Sequence, residues 1–207
     1  MTRTNSASRS VLSVENMTRI GVLTAMSAVL FFTLEIPVIA FYKLDFSTLP
    51  ALLGGLAMGP VPALIILVLK DVIHIVIKGL GSTMGIGDLA DFIMSAALVL
   101  PPALMYRHNR TRKTAAIGML VGIAAMMVAG VLVNWLLLIP AYMAAYHMDL
   151  NKIIGMATET LPFVDTEWKL LLFVTAPFNL LKGGLISLIT FLVYKPLSGI
   201  LNSKSAK

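Results

Sequence analysis

Apolar residues fill six stretches of the chain, residues 17–40, 47–58, 60–77, 88–106, 114–142 and 168–194, and polar residues collect between them. A helix needs about 20 predominantly apolar residues to cross a bilayer. Five stretches reach or approach that length, and the pattern predicts an all-α integral membrane protein, a six-transmembrane-helix bundle with a short second helix. Residues 47–58 are the short ones. At 1.5 Å rise they extend about 18 Å, against a hydrocarbon core of about 30 Å. A half-span is tolerated where it is enclosed by protein or lines a cavity. Ser47 is placed to cap this helix, with Pro50 in its first turn. Gly59-Pro60-Val61-Pro62 then turns the chain into the third helix. A glycine-rich loop follows from Gly79 to Gly87, and residues 144–167 read as a polar loop before the last helix. The fifth stretch is too long for a vertical span and is expected to tilt or protrude. The domain organisation predicted is a tail at residues 1–16, one membrane domain at 17–195 and a second tail at 196–207.

Composition explains why lipid must be the solvent. Of 207 residues, 58% are hydrophobic and 13% charged, with a mean hydropathy of +0.90. A soluble domain carries about 45–50% apolar and about 25% charged residues. Six spans use up the chain and leave no room for a soluble catalytic domain. The net charge of +6 suggests nucleic acid until its placement is considered. Arg3, Arg9 and Arg19, then Arg107, Arg110, Arg112 and Lys113, then Lys195, Lys204 and Lys207 all flank apolar stretches. That is the positive-inside distribution, and it puts both termini in the cytoplasm and excludes a nucleic-acid partner. Asp45, Asp149, Glu159, Asp165 and Glu167 fall on the opposite side. Tyr42, Tyr142, Tyr146 and Trp168 fall at outer helix ends, and Tyr106 and Tyr194 at inner ends, as interfacial belts do. Cysteine is absent, which removes disulfides, thiolate metal sites and cysteine nucleophiles. The first sixteen residues lack an apolar core with a following cleavage site and read as a cytoplasmic tail.

Polar groups inside apolar helices are costly and are candidates for function by default. Asn179 and Lys182, three apart on one face of the last helix, precede Gly183-Gly184. Asn134 lies in the fifth helix before Pro140, at the same depth, and convergence at one depth points to a ligand pocket. Packing of this face against a neighbouring helix is the structural alternative. Lys70, Asp71 and His74 share one turn of the third helix. A structural ion pair with a neighbouring helix and a core histidine explain them, and a proton relay is the alternative. Asp88 and Asp91 share a face at the start of the fourth helix, where Asp88 can serve as an N-cap. Gly21 and Ala25 form a small-xxx-small strip on the first helix, suited either to internal packing or to docking on another membrane subunit.

The run Lys43-Leu44-Asp45-Phe46-Ser47-x-Leu49-Pro50-Ala51-Leu52-Leu53-Gly54-Gly55, closing on Met58-Gly59-Pro60, resembles the riboflavin-specific substrate-binding (S) components of energy-coupling-factor (ECF) importers. So do the Lys70–His74 turn, Gly81-Ser82-Thr83 with Gly85-x-Gly87-Asp88-Leu89-Ala90-Asp91-Phe92, Asn134 with Ile139-Pro140-x-Tyr142, and Ala176-Pro177-Phe178-Asn179-Leu180-Leu181-Lys182-Gly183. The pieces occur in the family's order across residues 17–194. The resemblance implies a six-helix bundle holding one riboflavin in its outer half as cargo, not as a cofactor. Leu44, Asp45, Phe46, Gly85, Asp88, Asn134, Asn179 and Lys182 are its expected contacts, with Leu44 and Phe46 against the flat ring. Asp71, Asp88 and Asp91 depart from the family pattern, which often has Asn, Glu and Asn there.

The resemblance also implies docking through Gly21 and Ala25 to a coupling transmembrane subunit, two ATP-binding partner subunits, and a place in the bacterial plasma membrane. The chain contains no Gly-x4-Gly-Lys-Ser/Thr phosphate loop, so it does not hydrolyse ATP itself. A self-sufficient proton-coupled carrier built on Lys70, Asp71 and His74 is the alternative transport reading. It lacks the expected internal repeat with paired broken helices. An intramembrane enzyme lacks any recognisable catalytic motif.

Overall fold

A computed structural model describes residues 13–39, 42–80 and 84–201, with side chains through residue 194 apart from that of Ile39. Gly81, Ser82 and Thr83 lie outside the described residues, as do Arg3, Arg9, Lys204 and Lys207, and the side chain of Lys195. The order is α1 (Val14–Thr33), β1 (Ile36–Ile39), β2 (Tyr42–Leu44), α2 (Thr48–Met58), α3 (Pro60–Lys78), α4 (Ile86–His108), α5 (Arg112–Val133), a π-helical turn (Asn134–Leu138) and α6 (Ile139–Tyr146). Then come α7 (Leu150–Thr158), α8 (Glu167–Leu170), a second π turn (Leu171–Thr175) and α9 (Ala176–Leu201).

Five helices are long and apolar enough to cross a membrane: Val14–Thr33, Pro60–Lys78, Ile86–His108, Arg112–Tyr146 and Glu167–Tyr194. In their most apolar windows no more than 44% of residues are buried inside the protein. Others present side chains such as Val76, Leu120 and Leu192 outward, an apolar surface suited to lipid. The eleven-residue α2 is the short helix the sequence leads one to expect. Its residues from Thr48 to Ala57 are almost all buried, as an incomplete span inside protein must be.

Two expectations are corrected. The first apolar stretch does not remain helical to residue 40. It ends at Thr33, and β1 pairs antiparallel with β2, Ile36 opposite Leu44 and Pro37 opposite Lys43. Pro37 disfavours helical backbone at the residue before it and has no N–H to donate, so the chain leaves the helix extended. Nor is the 144–167 segment simply a loop. It contains α7, whose Ile153, Ile154 and Ala157 are buried beneath a face exposing Asn151 and Lys152. That apolar face packs with Tyr42, Val164, Leu170 and Val174, capping the end of the bundle that carries the hairpin.

Helices α4 and α5 meet backbone to backbone. A Cβ placed on Gly122 would lie 2.3 Å from the Leu98 carbonyl oxygen, and one on Gly118 2.6 Å from Pro102 Cα. Close approach through small residues is how membrane helices gain packing without a hydrophobic driving force. Gly122→Val is therefore expected to lower the thermal unfolding temperature of the purified protein. The cost is at least the about 1–3 kcal/mol of an overpacked core. Gly21→Val, whose new Cβ meets nothing within 4 Å, serves as the comparison; equal unfolding temperatures for the two variants would refute the close contact.

Candidate functional site

At the hairpin end of the bundle a cavity of about 420 Å³ opens between the hairpin, α1, α3, α4, the first π turn, α6 and α9. Two glycines set the local backbone there. Gly79 and Gly85 have φ of 79° and 81°, a left-handed conformation that costs glycine little. They end α3 and start α4, and so define the rim and angle of that wall.

The hairpin contributes Tyr42 and the residues just beyond it. The Tyr42 hydroxyl donates to Asn134 Oδ1 at 3.0 Å and shares a 2.5 Å hydrogen bond with Thr175 Oγ1. Both partners stand on π turns. Burial pushes the Tyr42 phenol well above its ordinary value, so it stays protonated and continues to donate. Asn134 Nδ2 donates to Gly130 O at 2.8 Å. The Asn179 amide donates to Thr175 O at 2.9 Å, which leaves its side-chain carbonyl for whatever occupies the cavity.

Beside these amides is a network of buried charge. Lys182 Nζ is 2.6 Å from Asp45 Oδ2 and 3.3 Å from Asp91 Oδ1. Asp45 Oδ1 accepts from the Ser47 amide at 2.9 Å and the Ser47 hydroxyl at 2.5 Å. The Ser47 side chain therefore organises the loop instead of capping α2, where it makes no cap bond. Lys70 Nζ lies 2.5 Å from Asp91 Oδ2 and 2.7 Å from Asp71 Oδ1, realising the expected ion pair with a neighbouring helix. His74 Nδ1 meets Asp88 Oδ1 at 2.5 Å, and its ring stacks on Phe31 at 4.3 Å. Charges this far from water persist only when paired. Glu35 bridges Lys43 at 3.0 Å and Lys78 at 3.5 Å at the cavity's edge, in exposed pairs that contribute little stability.

The aromatic wall is made of Tyr42, Phe178, Tyr142 and Tyr146. Tyr42 and Phe178 have ring centroids 5.1 Å apart, and Tyr142 and Tyr146 stack at 5.7 Å. Flat, largely apolar faces with amides and an ammonium group behind them suit a planar heteroaromatic ligand with polar edges. Among the described residues no three His, Asp or Glu side chains are grouped to hold a metal ion.

Of the expected contacts, Asp45, Asp88, Asn134, Asn179 and Lys182 come together on this wall. Leu44, Phe46 and Gly85 do not. Leu44 is buried and is not among the cavity's lining residues, Phe46 packs against the central core around Leu52, Ile66 and Leu98, and Gly85 supplies only backbone. Asp88 is not the N-cap of α4, because Gly85 holds that position. The ring walls were the groups that sequence reasoning missed. Tyr42 and Tyr142 read equally well as interfacial belt residues, and Phe178, inside the Ala176–Gly183 motif, carried no polar signal.

On the far face of α1, Gly21 and Ala25 are exposed, whereas Ser27 and Ala28 point inward. A shallow apolar groove runs along Val22, Ala25, Met26, Val29 and Leu30. The strip thus faces away from the protein's own core.

Comparison with known proteins bears on the same features. Residues 15–194 match the family model described as ECF transporter, substrate-specific component. The chain is 29% identical over 184 residues to the riboflavin transporter RibU of Streptococcus thermophilus, covering 88% of this chain and 82% of that protein. It is 27% identical over 154 residues to the riboflavin transporter FmnP of Bacillus subtilis, 74% of this chain and 75% of that one. A solved structure, described as the S component of a bacterial ECF transporter, superimposes with a TM-score of 0.67 at 24% identity. It covers 90% of this chain and 97% of its own, and so shares the fold. The relatives are transporters and not enzymes, and the chain is a membrane protein belonging to the substrate-specific component family of ECF transporters.

Proposed function

We propose that this chain captures riboflavin at the outer face of the bacterial plasma membrane and delivers it inward together with energising partner subunits. The observation that carries the reading is the cavity at the hairpin end. There Asn134, Asn179 and Lys182 share one wall with the aromatic rings of Tyr42, Tyr142 and Phe178. Its volume falls within the about 300–1,000 Å³ of small-molecule sites. The rings cover the isoalloxazine faces, and the amides and ammonium serve its carbonyl oxygens and ring nitrogens. The naming of its relatives as riboflavin transporters supports the same ligand.

In this reading the five long helices and the short α2 make six membrane-embedded segments. The hairpin end faces outward and both termini lie in the cytoplasm. The Arg107–Lys113 run, exposed between α4 and α5, supports that orientation. The outward strip at Gly21 and Ala25 docks a coupling transmembrane subunit, and two ATP-binding subunits supply the energy.

Capture of a scarce vitamin calls for tight binding. One riboflavin per chain at nanomolar Kd is expected, about −12 kcal/mol, read by quenching of flavin fluorescence in a titration of the empty protein. Binding weaker than micromolar would remove the proposal. Reconstituted alone in liposomes, the chain is expected to bind riboflavin without accumulating it. Uptake driven by a proton gradient without partners would instead point to a carrier working through Lys70, Asp71 and His74.

A further inference from the structure

Ligand contacts at the cavity leave one costly feature unexplained, a second buried lysine behind the wall. Lys70 on α3 has no exposed surface, and it is not part of the cavity lining. Its ammonium is fully engaged, with Asp71 Oδ1 at 2.7 Å, Asp91 Oδ2 at 2.5 Å and the Phe31 ring face at 4.4 Å. Asp91 reaches through from this back layer to the cavity, where its other oxygen meets Lys182. Lys182 is held from the opposite side by Asp45, which the Ser47 amide and hydroxyl anchor in turn. The Lys182 ammonium is therefore suspended between two carboxylates, each tied down from behind. It has three N–H groups; two are taken, and the third has no protein partner among the described residues.

We propose that Lys70 and Asp91 are positioning residues for the ligand: Lys70 anchors Asp91, and the anchored Asp91 counterbalances Asp45 so that Lys182 keeps one N–H for a neutral acceptor on the ligand. The distances show the balance. Lys182 is nearer Asp45, at 2.6 Å, than Asp91, at 3.3 Å, because Asp91 shares its charge with Lys70. Coulomb attraction in a dry interior is strong. Without Lys70, the undivided charge of Asp91 draws Lys182 toward α4, away from the hairpin loop and the ligand. The same arrangement selects ligand chemistry. A carbonyl oxygen or ring nitrogen accepts from Lys182 without penalty, whereas a phosphate or carboxylate there would face Asp45 and Asp91.

The inference rests on the riboflavin reading, and its test keeps the two apart. Lys70→Met alone strands the Asp71 carboxylate, whose ion pair is with Lys70, and reports chiefly on stability. Lys70→Met with Asp71→Asn removes one positive and one negative charge and leaves the net buried charge unchanged. Purified wild type, this double variant, Lys182→Met and the triple combination are titrated with riboflavin, and their thermal unfolding is recorded without ligand. The double variant is expected to unfold near the wild-type temperature yet bind roughly tenfold more weakly, the cost of one charge-assisted hydrogen bond lost to the ligand. In the Lys182→Met background the same pair of changes is expected to have no further effect on affinity. Wild-type affinity in the double variant, or an equal loss with and without Lys182, means that Lys70 is only scaffold and overturns the proposal. If the double variant does not fold, Lys70→Gln with Asp71→Asn takes its place under the same criteria. Failure of the wild type to bind riboflavin overturns the functional reading first, before any variant is compared, and this proposal with it.

Discussion

Lys182→Met is expected to weaken riboflavin binding roughly tenfold to hundredfold and, at the same time, to lower the unfolding temperature of the empty protein. The affinity loss follows from removing a charged donor worth about 1.5–3 kcal/mol to a ligand acceptor. The stability loss has a separate origin. Lys182 is 4% exposed and paired with Asp45 and Asp91, and breaking a buried ion pair by deleting one partner costs about 3–5 kcal/mol. Asp45 would keep its Ser47 hydrogen bonds but lose the only cation paired with it among the described residues, which also loosens the hairpin from α9. Asn179→Ala provides the contrast. Its amide donates to the Thr175 carbonyl within its own helix, so truncation is expected to cost affinity by about 1–3 kcal/mol with little change in unfolding temperature. Measuring Kd and unfolding temperature for both variants separates the roles. If both retain wild-type affinity, the ligand does not contact this wall.

The larger effect on transport is expected from substitutions that touch no ligand contact. Gly21→Leu or Ala25→Leu is expected to abolish riboflavin uptake by the assembled transporter while the isolated protein binds riboflavin as before. Both positions are exposed on α1, and the Gly21 site meets no atom within 4 Å. A larger side chain therefore leaves the bundle undisturbed and fills the groove between Val22, Met26 and Val29. Close helix–helix approach through small residues fails when a bulky one intervenes. Uptake in vesicles holding the complete complex, alongside binding to the isolated chain, distinguishes the outcomes. Loss of binding together with uptake would mean that the strip serves the protein's own packing.

Much of the fold was legible because the signals behind it are large. A lipid-facing helix must be apolar for most of a bilayer's width, and that alone located all five long helices and the short α2. The hairpin was hidden because Ile36, Val38 and Ile39 are as apolar as the helix they follow, and only Pro37 marked the break. α7 was hidden because nine residues of mixed polarity resemble a loop until their buried face finds the hairpin.

Within the site, polarity in an apolar context singled out Asn134, Asn179 and Lys182. It did not show that Lys182 is already bound to Asp45, 137 residues away. Nor did it rank Tyr42 above the other interfacial tyrosines, since its partners Asn134 and Thr175 become neighbours only in the folded chain. Leu44 and Phe46 lie off the cavity lining for a related reason. The turn of the hairpin decides which side chains face the cavity, and the linear motif does not encode that orientation.

The two π turns divide each of the longest rods into sections with different angular phase. A π turn holds about one residue more than an α turn and occurs as a local bulge within an otherwise regular helix. Asn134–Leu138 stands between a lower section that packs on α4 through Gly118 and Gly122 and an upper section carrying Tyr142 and Tyr146. Were the same residues wound as regular α-helix without the wide turn, the upper section would be swung round by about 100°, turning both tyrosines from the cavity while the glycine contacts below stayed in place. The extra residue thus lets one rod satisfy two independent aiming requirements: a lower half fixed by its neighbour's backbone and an upper half free to be pointed at a ligand.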